Sequence, residues 1–226
     1  MKNSIIILVL CIIFNPMQAQ KIIERHMDFA QKNSLSLEIQ IADSISIHTW
    51  DKKEVFTRAS VDVNDNNDND AYQTKFDESG SILKVTAKFE ENYMKTKHNF
   101  NSKITWDVYI PENTSFSVKT IDGNINIEGK IADINAKSIS GNIIIKGTNS
   151  EVEANSISGF VDLSVASDRK ANLEFATISG TVYSNHDVNS SGKSKIGSTK
   201  ISDQMNGGGN QIILKTISGN IYFRKI

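Results

Sequence analysis

An eight-residue phrase returns five times in this chain. It reads TIDGNINI from Thr120, SISGNIII from Ser138, SISGFVDL from Ser156, TISGTVYS from Thr177 and TISGNIYF from Thr216. The first three copies start 18 residues apart, the fourth starts 21 further on, and the last follows after 39. A worn copy, Lys200-Ile201-Ser202-Asp203, fills the long gap. Self-similarity at a period near 20 constrains the fold more than any local signal, because each copy is one supersecondary unit that must stack on its neighbours.

Within a copy the residues alternate as a strand requires. In the Ser138 copy, Ile139, Gly141, Ile143 and Ile145 share one parity, and Ser138, Ser140 and Asn142 share the other. The pattern predicts the isoleucines inside and the hydroxyls and amides outside. A shorter apolar pair precedes each copy: Phe116 and Val118, Ile134 and Ala136, Val152 and Ala154, Leu173 and Phe175, Ile212 and Leu214. Its second member stands three residues before the motif isoleucine, an odd step, so the reading places a corner or bulge between the two runs. The glycine just after it reads as room-making, where a side chain does not fit.

One repeat offers about six inward apolar side chains, roughly 10–15 kcal/mol of gross burial. Ordering about 18 backbones costs on the order of 18–36 kcal/mol. A lone repeat therefore cannot fold, and stacked repeats can. The prediction is an all-β chain whose residues 112–226 form a right-handed parallel β-solenoid, a β-helix-like repeat with an N-terminal β-sheet unit before it.

That unit spans about residues 20–111. Leu35, Leu37, Ile39 and Ile41 alternate with polar residues, as do Ile104, Trp106, Val108 and Ile110. Further strands are read at Ile45 to Thr49, Glu54 to Val63 and Ile82 to Phe89. Residues 20–33 fit a helical turn or a strand, with the strand favoured because everything downstream is strand. Pro111-Glu112-Asn113 is the best boundary, and one role for the unit is to cap the first coil. The last repeat runs to Ile226, so its outer edge is expected to be open, or paired with another copy in a homo-oligomer.

Residues 1–19 read as a secretory signal peptide: Lys2, an apolar run from Ile5 to Phe14, and Met17-Gln18-Ala19 before a cut at Gln20. The run is too short to span a bilayer, so no transmembrane helix is expected in the mature chain. Cys11, the only cysteine, lies in this segment, and cleavage leaves a chain held by burial and hydrogen bonds alone. The expected location is exported: periplasm, outer cell surface or secreted. A net charge of -1 gives no field to hold nucleic acid.

No catalytic, cofactor or metal motif stands out. The four histidines, His26, His48, His98 and His186, have neither metal-ligand spacing nor a triad arrangement that sequence reveals. The Asp/Asn run from Asn64 to Asp70 reads as a hairpin tip rather than a calcium loop, since it lacks the glycine and closing glutamate of an EF-hand. The chemistry that does repeat lies on the outward parity. Stacking aligns Thr120, Ser138, Ser156, Thr177 and Thr216, beside them Asp122, Ser140, Ser158, Ser179 and Ser218, and then Asn124, Asn142, Phe160, Thr181 and Asn220. Tyr183 and Tyr222 share this parity and, with Phe160, suit stacking on sugar rings. The candidate binding face is therefore Ser140, Asn142, Ser158, Phe160, Ser179, Thr181, Tyr183, Ser218, Asn220 and Tyr222.

The repeats, with the upstream run SISIHTWDKKEV and the lead-in ITWDVYIPENTSFSVKTIDGNI, resemble the DUF4097 family of bacterial β-strand-repeat proteins, which often carry an adhesin label. The resemblance covers about residues 28–226. It implies an all-β repeat fold at the bacterial envelope and brings no catalytic residues. The expected function is a non-enzymatic exported envelope protein with adhesin-like binding or a structural role, its partner a cell-envelope glycan or an envelope protein. The alternatives are a module that senses envelope stress through a membrane partner, and a polysaccharide-active β-helix enzyme. The enzyme reading needs clustered acids on one strip, where Asp122 and Asp162 stand isolated.

Overall fold

The computed structural model describes residues 20–97, 99–147, 151–187 and 198–226, so the signal-peptide reading and Cys11 lie outside the described residues. The described chain is all-β apart from one short α-helix and a single 3-10 turn at Asn69–Ala71, and its strands join in one mixed sheet. In chain order they are β1 (Lys21–Asp28), β2 (Ser34–Ile39), β3 (Ile41–Trp50), β4 (Glu54–Val63), β5 (Tyr72–Asp77), β6 (Ile82–Phe89), α1 (Glu91–Thr96), β7 (Ser102–Pro111), β8 (Ser115–Glu128) and β9 (Asp133–Ser140). They continue as β10 (Ile143–Lys146), β11 (Glu151–Ser158), β12 (Val161–Val165), β13 (Ala171–Ser179), β14 (Val182–Ser184), β15 (Thr199–Met205), β16 (Asn210–Ser218) and β17 (Ile221–Lys225).

Pairing runs along two series. One is β5-β6-β2-β8-β9-β11-β16-β13-β15, parallel throughout except for the antiparallel end pairs β5–β6 and β13–β15. The other is β1-β4-β7-β3-β8-β10-β12-β17-β14, antiparallel over β1–β4 and β4–β7 and parallel beyond. β8 belongs to both, with residues before Asp122 in the first series, those from Asn124 in the second, and Asp122 paired in each, with Ser140 and with Ile41. The two series enclose one hydrophobic core that runs from Met27 to Phe223. Phe175 of the first meets Phe223 of the second with ring centroids 5.2 Å apart, and Trp106 of the second donates from Nε1 to the hydroxyl of Tyr72 in the first.

The stacking order departs from the chain order. The Thr216 copy lies between the Ser156 and Thr177 copies, since β16 pairs with both β11 and β13 and β17 pairs with both β12 and β14. The expected open edge on the last repeat, and with it the proposed oligomer through that edge, is therefore corrected: both sides are already occupied by this chain's own strands. The worn copy is likewise not a repeat. β15 runs antiparallel to β13, with Ile201 and Met205 buried opposite Phe175 and Ala171, and covers the end of the first series.

The N-terminal residues follow the same plan. β2 and β3 pair in parallel with the two halves of β8, across the line drawn at residue 111. β6 and β7 stack beyond them, and β5, β4 and β1 close that end antiparallel. Residues 21–28 are strand, as favoured. β5 and α1 have no counterpart in the sequence reading.

The corner lies later than the pattern suggested. In the Ser138 copy, β9 alternates without a break: Ile134, Ala136 and Ser138 are buried, and Ile139 is 47% exposed. The chain then turns at Gly141-Asn142, and β10 starts with Ile143 and Ile145 inside. Ser138 to Ile143 is five residues, and that odd step holds the change of parity. Thr120, Ser138, Ser156, Thr177 and Thr216 are thus all buried, and Ile121, Ile139, Ile157, Ile178 and Ile217 are all exposed, the reverse of the expected faces. The hydroxyls go inside because turning carbonyls need donors there. Ser156 Oγ donates to the Gly141 carbonyl at 2.9 Å, and Thr120 Oγ1 donates to the Asp122 carbonyl at 3.0 Å.

Glycine follows from the same geometry. A Cβ on Gly141 would collide with the carbonyl oxygen of Gly123, one on Gly159 with that of Gly141, and one on Gly219 with that of Gly159. Gly141 and Gly159 also stand at φ +157° and +156°. The contact that excludes a side chain is with the neighbouring repeat's corner, not with an opposite wall.

Candidate functional site

The line of corners presents the chain's repeated polar groups. Ser140, Ser158, Ser218 and Ser179 fall in register on adjacent strands β9, β11, β16 and β13, and all four are exposed. Asp122 extends the row on β8. The four serines of the candidate face are therefore brought together, in the order 140, 158, 218, 179. The Thr/Ser column beginning each copy is not part of this face.

Behind the serines runs an amide ladder. Asn124 Oδ1 accepts from the backbone N–H and the side-chain Nδ2 of Asn142, both at 3.1 Å. Asn142 Oδ1 accepts from the Phe160 backbone N–H at 3.0 Å. Phe160 has no amide and breaks the run. It resumes at Asn220, whose Oδ1 accepts from the Thr181 N–H at 2.9 Å. A polar groove of about 460 Å³ follows these corners, with Asp122, Asn124, Ser140, Asn142 and Ser158 among its lining residues.

Beyond the corner, Tyr222 and Tyr183 lie in register with Asp162 on the outer side of β17, β14 and β12. The Phe160 and Tyr222 rings meet edge to face at 5.8 Å, and Tyr183 stacks on Tyr222 at 5.1 Å with 10° between planes. Arg224 pairs with Asp162 and lies 5.3 Å over the Tyr222 ring. All ten candidate residues are thus exposed or half-buried along one band. The band bends around the corner rather than lying as a flat grid, because serines end one pairing series and tyrosines sit in the other.

Two surface features escaped the sequence reading. The first is the isoleucine column beside the serines. Its signal was the unbroken alternation Phe116, Val118, Thr120, which already points Ile121 outward. The second is an aromatic row across β1, β4, β7 and β3, where His26, Phe56, Tyr109 and His48 lie in register. Neighbouring rings there are 4.5–6.1 Å apart, and Trp50 lies beside Tyr109. It depends on long-range register, which local pattern does not carry.

Two histidines also stand near single carboxylates. His26 Nδ1 is 3.4 Å from Glu54, and His186 Nε2 is 3.4 Å from Asp203. His98 lies outside the described residues. Among the described residues no group of three or more His, Cys, Asp or Glu side chains is arranged to hold a metal ion. The Asn64–Asp70 tip engages its own oxygens: Asp68 Oδ2 accepts from Asn64 Nδ2 at 2.6 Å and from the Tyr93 hydroxyl at 3.0 Å. Those two donors, the Asn64 amide first, hold the Asp68 carboxyl below its ordinary value of 3.8.

Among solved structures, a proposed cell adhesion protein from Clostridium sporogenes shares this fold. It superposes with a TM-score of 0.69 over 92% of this chain and 100% of its own, at 12% identity. A proposed adhesin from Bacteroides fragilis aligns over 92% of this chain and 99% of its own, at 14% identity and a TM-score of 0.38. One from Parabacteroides merdae covers 91% and 96%, at 8% identity and 0.32. No family model matches the sequence. No curated protein matches it either. No helix among the described residues is long and apolar enough to cross a membrane.

Proposed function

We propose that this chain is a non-enzymatic exported protein of the bacterial envelope, of the DUF4097 kind, with an adhesin-like role. In this reading its repeats form a right-handed parallel β-solenoid, and the band along its corners binds an envelope glycan. The observation that carries the reading is the aromatic group Phe160, Tyr222 and Tyr183 beside the in-register row Ser140, Ser158, Ser218 and Ser179. Sugars are recognised by apolar ring faces set next to fixed hydrogen-bonding groups. Here the rings and the hydroxyls stand on one rigid sheet, so little order has to be gained on binding. The name of the Clostridium protein that shares the fold points the same way.

The test is a pull-down of purified envelope polysaccharide fractions with the wild-type chain and with two folded variants. One carries Tyr183→Ala and Tyr222→Ala, the other Ser140→Lys, Ser158→Lys, Ser179→Lys and Ser218→Lys. Capture by the wild type and loss in both variants is the expected result. Failure of the wild type to retain any fraction, or equal retention by the variants, sinks the proposal and turns the search to a protein partner.

A further inference from the structure

We infer that the exposed isoleucine column is a self-association surface, through which two copies of this chain pack about a two-fold axis centred on Ile157. This goes beyond the glycan reading and uses a different set of residues. The register of β8, β9, β11, β16 and β13 orders the column Ile121, Ile139, Ile157, Ile217, Ile178. All five are between 45% and 58% exposed. At the spacing of paired strands the column is about 19 Å long. Because the Thr216 copy inserts before the Thr177 copy, Ile157 is the middle rung, with two isoleucines on each side.

A second copy fits this strip for three reasons. Identical side chains at one spacing are complementary to themselves under a two-fold rotation, which is what an isologous interface needs. The strip is also large enough. Ile121, Ile139, Ile157 and Ile217 line one side of a groove of about 670 Å³, with Lys119, Lys137 and Lys215 along the other. Five half-exposed isoleucines with three lysine stems make an apolar surface of a few hundred Å², the size that marks interaction sites. Two such strips bury on the order of 1,000 Å², the lower limit for a specific interface. The flanking charge is the third reason. Lys137 pairs with Glu153 at 3.4 Å, Lys215 with Glu174 at 3.0 Å, and Glu38, beside Lys119, pairs with Lys84 at 3.0 Å. With most of its lysines already paired to carboxylates of the same face, this border lets an identical face approach and gives only modest attraction to an anionic membrane, which recruits clusters of unpaired basic residues.

A two-fold axis through the middle rung sets Ile157 against its own copy. The experiment uses the full chain with Cys11→Ser, so that an introduced cysteine is the only one. Ile157→Cys should form a disulfide-linked dimer under mild oxidation, because its Cβ falls within disulfide reach of its copy. Lys53→Cys, on an exposed loop away from the strip, is the control. In parallel, sedimentation velocity over a concentration series should show reversible dimerisation of the wild type. Ile157→Lys, at an exposed position, should weaken it by about tenfold or more while leaving the melting curve in place. Cross-linking of Ile157→Cys no faster than of Lys53→Cys overturns the inference. So does a wild type that stays monomeric throughout, or association that persists unchanged in Ile157→Lys.

Discussion

The Thr216 hydroxyl donates to the Gly219 carbonyl at 2.7 Å, three residues on and across the corner of one repeat. Thr177, on the neighbouring strand, donates to the same oxygen at 3.0 Å. In four of the five phrases the opening Thr or Ser therefore acts as an internal brace for the turn. This explains why a buried position repeatedly takes a hydroxyl while the isoleucine after it faces out.

The brace is not made equally in every repeat. Ser156 Oγ reaches the Gly141 carbonyl at 2.9 Å, whereas the buried Ser138 Oγ has no hydrogen-bond partner among the described residues. Ser156→Ala should cost about 1–3 kcal/mol, the penalty of leaving the Gly141 carbonyl without this hydrogen bond. Ser138→Ala removes a buried hydroxyl that is already unsatisfied, so it should be neutral or slightly stabilising. Urea unfolding of both variants checks the contrast. A larger loss for Ser138→Ala than for Ser156→Ala contradicts it.

The corner glycines differ just as sharply from the other glycines. Gly141→Ala forces a Cβ onto the Gly123 carbonyl and strains a φ of +157°. Because the obstacle is backbone of the next repeat, relief requires two repeats to shift, and the expected loss is about 3 kcal/mol or more. Gly147 has φ +77°, but among the described residues no atom beyond its chain neighbours lies within 4 Å of where its Cβ would stand. Gly147→Ala should therefore cost only about 1 kcal/mol, from backbone conformation alone. Unfolding midpoints at a common slope separate the two.

These corners also show what the sequence carries and what it withholds. A strand such as β7 was legible because the clean alternation of Ile104, Trp106, Val108 and Ile110 admits one face assignment. The Thr-Ile-Ser phrase was not. Hydrophobicity alone places Ile139 inside, and only the carbonyls of the corner require Ser138 there instead. The stacking order was equally hidden. The Ser156 and Thr177 copies would pair with each other as readily by pattern, and nothing local shows that β16 inserts between them. The residues of the candidate band were legible in the sequence because they are exposed or half-buried on both sides of the corner: the serines end the strands before it and the aromatic residues lie at or after it. Its arrangement was not, because Phe160, Tyr222 and Tyr183 become neighbours only through that insertion.

The acidic tip after β4 should give the protein a pH-dependent stability. Donation from Asn64 and Tyr93 keeps Asp68 ionised below its ordinary 3.8, so its contribution is present above that value and is lost as pH falls through the lowered one. Asp70 is lowered by Lys21, and Asp77 by Ser79, which adds to the same limb. Tyr93 moves the other way: burial first, then Asp68, push its hydroxyl from 10.0 up to about 12. Its contribution is present below 10 and fades as pH rises to about 12. Asp68→Asn should flatten part of the acid limb of the urea midpoint against pH, and Tyr93→Phe part of the alkaline limb. Limbs unchanged in both variants would show that this tip does not govern them.

The interrupted amide ladder makes a prediction about coupling. Asn124 and Asn142 bond directly, and Asn142 passes the ladder on to the Phe160 backbone, where it ends. Asn220 begins again on the far side, serving Thr181. Side chains that share a hydrogen bond are energetically coupled, and those separated by a residue without one are not. Asn124→Ala with Asn142→Ala should therefore show an interaction energy of about 0.5–1 kcal/mol in a double-mutant cycle. Asn142→Ala with Asn220→Ala should be additive within about 0.3–0.5 kcal/mol. Replacing Phe160 by asparagine supplies the missing rung: its amide can accept from the strand beyond as Asn142 does from Phe160. In that background the second cycle should acquire coupling that the natural chain lacks. Equal coupling in the two cycles of the natural chain would mean that the amides act through the sheet as a whole rather than rung by rung.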